Sequence, residues 1–284
     1  MSARDRVGLG WRPELAAGIV ANLDRIDVVE VIADDYFDAG RRALRALRTL
    51  TRQVPVVLHG VGLGLASAAP VETRRLERLA RVMEAVEPEA WSEHLAFVRG
   101  GGVEIGHLAA PPRNAATVEG AALNLERARR VVGSLPLVEN VATLIDPPGT
   151  DRDEPTWITD VLAASGAGLL LDLHNLHANA LNFGFDAQDA LGRLPVERIG
   201  MIHVAGGRWI GPPERRLLLD DHLHVVPDAV YALLESLAER ARLPLTVILE
   251  RDGEYPAMAA LLDELDRARR ALAAGRARWA SAAA

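Results

Sequence analysis

Eight short apolar runs punctuate the chain, and from the third onward each stops at a histidine or a carboxylate. The runs cover residues 7–10, 28–32, 54–58, 90–92, 135–138, 168–171, 199–202 and 245–249. They have strand length, and the continuous ones predict strands buried on both faces. Most are separated by segments with apolar residues at helical spacing, such as Leu76, Leu79, Val82, Met83 and Val86. Helices are expected over residues 13–23, 38–50, 71–86, 117–132, 154–164, 186–194, 228–240 and 256–274. Strands alternating with helices call for a parallel sheet, and eight strands close a (β/α)8 TIM-type barrel. An open doubly wound sheet fits less well, because no dinucleotide-type glycine turn follows the first run. The expectation is one barrel domain over residues 1–284, with an Ala-rich tail frayed at its end.

Composition narrows the function. The 284 residues are 49% hydrophobic, enough for one large core. A net charge of −7 argues against an extended nucleic-acid surface. The chain has no cysteine, which excludes disulfides, thiolate ligands and a cysteine nucleophile, so any metal must sit on nitrogen and oxygen. The first fifteen residues do not read as a secretory signal, and no run of about 18 apolar residues predicts a membrane span. The cytoplasm is the expected location.

The stretch from Leu169 to Asp186 poses the chemical question most sharply. An apolar run ends in Asp172, His174, Asn175 and His177. Ionisable groups at the end of a buried strand need something to compensate them, and a cation is the simplest candidate. The pattern recurs: His59, Glu93-His94, Glu139-Asn140, His203 and Glu250 stand at the other run ends. In a barrel all of these project from the C-terminal rim, where barrel active sites are built. The loop at 208–226 adds Asp220 or Asp221 with His222 or His224. Singly, each has a bland reading: Glu139 could accept backbone hydrogen bonds, and Glu250 could pair with Arg251. Together they put at least three carboxylates and four imidazoles in one mouth, where they would repel or neutralise unless a multivalent ion held them. One catalytic ion needs about three protein ligands, so this inventory suits two ions or three, bridged by Glu139 or Glu250. The segment 96–112, with three consecutive glycines, reads as a loop that could cover the site. His107 falls outside the pattern.

The segments GLGWRPEL, HGVGL, WSEHLAF, LVENVA, LLLDLHNLHANALNFGFD, MIHVAGG, DDHLHVVPDAV and ILERD occur in the order found in a known family. Over roughly residues 5–260 the chain resembles the multinuclear non-heme iron-dependent oxidative enzymes, which include the iron oxidase subunit of methanobactin biosynthesis. The resemblance implies a barrel holding two or three irons that uses dioxygen as co-substrate. It also implies a ribosomally synthesised precursor peptide whose side chain is modified, and a partner protein that captures the leader. Carried over by position, His59, His94, Glu139, Asp172, His203 and Glu250 match core ligands. Asp220 and His222 match the ligand-bearing loop, His174 completes the metal set, and Glu139, Asp172, His203 and Glu250 carry the catalytic role. There are departures: many relatives have Asn-Asn and an aromatic where this chain has His174-Asn175 and His177. Some have an acidic residue where it has Gly206-Gly207. Two other readings stay open. One is a zinc or manganese barrel acting as an isomerase or, less well for an acidic chain, a phosphodiesterase; the other is a non-catalytic metal-binding partner subunit.

Overall fold

The computed structural model describes residues 4–282; residues 1–3 and 283–284, the ends of the N-terminal segment and of the Ala-rich tail, lie outside the described residues. The chain opens with β1 (Arg6–Trp11), a 3-10 turn at Pro13–Leu15, α1 (Ala16–Ala21), β2 (Val29–Ile32), α2 (Arg41–Leu50), β3 (Val56–Gly60) and α3 (Thr73–Val86). It continues with β4 (Ala90–His94), β5 (Phe97–Gly100), β6 (Val103–Ala109), α4 (Ala115–Val132), β7 (Leu137–Glu139), α5 (Glu154–Ser165), β8 (Gly168–Asp172), α6 (Leu173–Phe183) and α7 (Ala187–Arg193). Then come β9 (Ile199–Val204), β10 (Arg208–Ile210), β11 (Leu217–Leu219), α8 (Asp228–Arg240), β12 (Thr246–Leu249) and α9 (Met258–Ala282). Eight of the strands form a closed barrel in the order β1-β12-β9-β8-β7-β4-β3-β2, the expected (β/α)8 architecture.

The polypeptide divides into two compact units, a middle one (Val29–Val141 and Ile145–Leu170) and a terminal one (Met1–Val28, Ala142–Leu144 and Leu171–Ala284). In the middle unit β2, β3, β4 and β7 pair in parallel, and β7 pairs with the start of β8. α3 buries Leu76, Leu79, Val82 and Val86 of the face its spacing predicts, with Met83 half-buried at its edge, and each buried residue contributes about 1.5–3 kcal/mol. α4 starts at a capping box, in which the Asn114 side chain accepts from Thr117 N at 3.1 Å, and stops at Gly133 in the left-handed region. The segment expected as a loop after β4 is instead the antiparallel hairpin β5–β6. Its β-branched residues Val98, Val103 and Ile105 favour extended backbone, and Gly101 and Gly102, both at positive φ, make the turn.

In the terminal unit β1, β12 and β9 pair in parallel, with Leu9 opposite Leu249 and Ile248 opposite His203. α8 packs on α9, and Leu233, Leu234, Leu237, Leu261 and Leu265 are buried there. Two expectations change. α9 runs through Ala282 rather than ending near 274; alanine and arginine are strong helix formers, and Arg276 anchors the extension on Asp5 at 2.8 and 3.0 Å. The residues after β8 form α6, which Asp172 caps: its Oδ1 accepts from Asn175 N at 2.7 Å. The 208–226 segment contains the small antiparallel pair β10–β11. Among the described residues no helix is long and apolar enough to cross a membrane.

Candidate metal centre

Strand register builds the first donor set, in the middle unit. His59 lies opposite Ser92, and His94 opposite Glu139. Ser92 and His94 are two residues apart on β4, so all four side chains share one face of the sheet. His59 Nε2 and His94 Nε2 converge on the same oxygen, Glu139 Oε2, at 3.5 and 3.4 Å. The two rings meet edge to face with centroids 4.6 Å apart. All three groups are buried, and each offers a ligand atom within 4.8 Å of the others.

Glu93, read in the sequence beside His94, faces the opposite way. Its carboxylate accepts from Leu63 N at 3.1 Å and His94 N at 2.9 Å. Gly60 sits opposite it, and a Cβ there would lie 2.8 Å from Glu93 Oε2, so a side chain at this position would have to displace that carboxylate. Asp34 holds the same turn by accepting from Val61 N at 3.0 Å. Burial, and then the Glu93 charge, push the Asp34 carboxyl up to about 6. The glycine-rich segment after β3 is thus a turn fixed from below by two carboxylates.

The second set lies in the terminal unit. Asp172 ends β8, His203 lies in β9, and Glu250 follows β12, extending its pairing through Glu250 N to Val204 O at 3.0 Å. These three are buried, and each offers a ligand atom within 4.8 Å of the others. His203 Nδ1 is 2.9 Å from Glu250 Oε2.

Beside this set runs a chain of paired charges. His174 Nδ1 donates to Asp220 Oδ1 at 2.6 Å, and His222 donates from Nε2 to Asp220 Oδ2 at 3.0 Å and from Nδ1 to Asp252 Oδ2 at 3.1 Å. Arg12 Nε donates to Asp252 Oδ1 at 3.0 Å. Burial opposes charge on His222, but Asp220, Glu250 and Asp252 outweigh it and raise its pKa well above the ordinary histidine value. Burial would raise the Asp220 carboxyl; His222 and His174 reverse that and hold it well below the usual carboxylate range. His222 also has a φ of 56°, the left-handed region that a residue with a Cβ seldom occupies. His174 Nε2 is buried with no hydrogen-bond partner. A Cβ on residue 207 would come within 2.7 Å of that ring and 2.1 Å of Leu219 O, so Gly207 admits the histidine.

Other expected candidates go elsewhere. Asp221 takes His224 Nδ1 at 3.0 Å and Arg208 Nε at 3.0 Å. His107 is exposed on β6. Arg251 does not pair with Glu250: it donates to Glu264 Oε1 at 3.0 Å and Leu223 O at 2.8 Å, while Glu264 Oε2 accepts from Val226 N at 2.8 Å. Ser92, Asp34, Asp252 and Arg12 were not singled out by the sequence as site residues; register against His59 points to Ser92, but only once the strand pairing is known.

Two imidazoles with one carboxylate, and one imidazole with two carboxylates, are donor sets that suit first-row transition metals. Two buried nitrogens aimed at one buried carboxylate oxygen, at distances beyond a strong hydrogen bond, leave the geometry of a ligand shell. The residues therefore fit a metal centre on a barrel scaffold. The fold is shared with solved epimerases: L-ribulose 3-epimerase (12% identity, TM-score 0.62, covering 99% of this chain and 98% of that one) and D-psicose 3-epimerase (13%, 0.58, 96% and 99%). Residues 6–273 match the model of the RiPP precursor modification enzymes MbnB/TglH/ChrH, and the chain belongs to that family. Relatives include a UPF0276 protein of Streptomyces avermitilis, 39% identical over 93% of this chain and 54% of its own length. Another, from Bordetella bronchiseptica, is 35% identical over 95% of this chain and 93% of its own. The chain thus spans about half the length of the Streptomyces relative and nearly all of the Bordetella one.

Proposed function

We propose that the protein holds two irons and uses dioxygen to modify a side chain of a ribosomally made precursor peptide. The observation that carries this reading is the presence of two buried nitrogen and oxygen donor sets in a cysteine-free member of a peptide-modifying family. His59, His94 and Glu139 would hold one ion, and Asp172, His203 and Glu250 the other. Iron, when bound, supplies the redox chemistry with dioxygen as oxidant.

The chain's own groups set the conditions for that chemistry. Glu250 fixes the His203 ring from Nδ1. Asp172 is held by the first turn of α6. His222, charged by its three acidic neighbours, keeps a proton on Nε2 directed at Asp220. His174, Asp220 and His222 stand beside the second ion as a hydrogen-bonded trio. A precursor peptide, a leader-capturing partner protein and a cytoplasmic setting complete the reading.

The likeness of the fold to sugar epimerases favours one competing reading, a zinc- or manganese-dependent isomerase. The deciding experiment is oxygen uptake by iron-loaded protein with a peptide encoded beside its gene. Peptide-dependent uptake with a mass change in the peptide is the expected result. Oxygen-independent turnover of a keto sugar with manganese would reject the oxidase and support the isomerase.

A further inference from the structure

We infer that Ser92 is a positioning residue that sets the tautomer of His59 for metal binding. The inference rests on the reading that His59, His94 and Glu139 hold an ion. Ser92 is completely buried, and its Oγ lies 2.8 Å from His59 Nδ1. The pairing of β3 with β4 places the two residues directly opposite each other, so the contact is built into the sheet.

A neutral imidazole carries one proton on one of two nitrogens. His59 Nε2 is the nitrogen aimed at Glu139 Oε2 and shares that oxygen with His94 Nε2. For Nε2 to give its lone pair to a cation, the proton must reside on Nδ1. Ser92 Oγ, 2.8 Å away, is placed to accept it there. Take the hydroxyl away and Nδ1–H loses this acceptor in a buried site. The other tautomer then gains, with Nε2–H donating toward Glu139 and a hydrogen where the ion should sit. Behind His94 the corresponding distance, Nδ1 to Glu93 Oε1, is 3.7 Å, too long for a hydrogen bond, so the two rings are not held alike. Partners of ligand histidines commonly change metal affinity by about 10–100-fold.

The test is anaerobic titration with ferrous ion of the wild-type protein, Ser92→Ala, Ser92→Thr and His59→Ala, with ¹⁵N NMR of the histidine side chains in the metal-free proteins. Ser92→Ala should bind the ion about 10–100-fold more weakly, and Ser92→Thr, which keeps the hydroxyl, should recover most of that loss. The His59 proton should lie on Nδ1 in the wild type and move toward Nε2 in Ser92→Ala. A purely structural serine would lower the melting temperature without moving the tautomer or the affinity. Wild-type affinity in Ser92→Ala with weak binding in His59→Ala would overturn the inference and leave the metal reading standing. Wild-type affinity in His59→Ala would overturn that reading itself. The NMR of the wild type decides even if Ser92→Ala fails to fold, because an Nε2–H tautomer there contradicts the inference directly.

Discussion

The two donor sets are assembled by different means. His59, His94 and Glu139 stand on three neighbouring strands, and their convergence follows from register. The terminal set mixes a helix cap, a strand and a post-strand residue, and it leans on the 220–226 loop. The charge differs as well. The first set carries one carboxylate among two imidazoles. The second carries Asp172 and Glu250 and is flanked by Asp220 and Asp252, with His222 and Arg12 as counter-charges. The comparison teaches that the sheet alone can fix a ligand set with low charge, whereas an anionic set needs a second layer of cations to be tolerable when buried.

The largest expected effect comes from breaking the anionic set. Glu250→Ala should cost about one bound metal ion per chain and essentially all turnover, while the His59 set still binds. Metal analysis of the folded variant checks this; full metal content would remove Glu250 from the ligand set, and loss of both ions would mean that the sets are not distinct. Next is Glu264→Ala, which strands the Arg251 guanidinium in a buried site. Breaking such a pair costs about 3–5 kcal/mol, measurable by urea unfolding. It should loosen the loop through Leu223 and Val226 and weaken metal binding at the terminal set more than at the middle one.

A smaller effect sharpens the contrast by pH. The folded Asp34 carboxyl titrates near 6, above its ordinary value of 3.8. The native state therefore keeps a proton that the unfolded chain has released, and this group's contribution to stability falls as pH rises from about 4 to about 6. Asp34→Asn should flatten that fall, seen as a melting temperature less dependent on pH across the window. An unchanged slope would remove Asp34 from the account. The smallest effect is expected for His224→Ala, within about 0.5 kcal/mol of wild-type stability and with unchanged metal content, because His224 pairs with Asp221 near the surface.

These differences also explain what could be read from the sequence. Strands buried on both faces stand out as apolar runs, and the strand-borne His59, His94, Glu139 and His203 are visible where the runs stop. α6 was harder, because its capping residue, Asp172, is also a candidate ligand; the buried Leu173, Leu176 and Ala180 at helical spacing were the signal. The β5–β6 hairpin was masked by its glycines. The Arg251–Glu264 pair, thirteen positions apart, and the Ser92–His59 contact depend on which elements meet, and no local pattern encodes that. Gly207 is informative only beside the His174 ring and Leu219 O, neither of which is near it in sequence.

The central claim is that two ligand sets hold two irons. The most direct measurement is the metal content of protein purified from iron-supplemented cells, with Mössbauer spectra on the same sample. The account predicts two irons per chain, partly ferrous. Zinc or manganese at full occupancy, with iron unable to replace it, would contradict it.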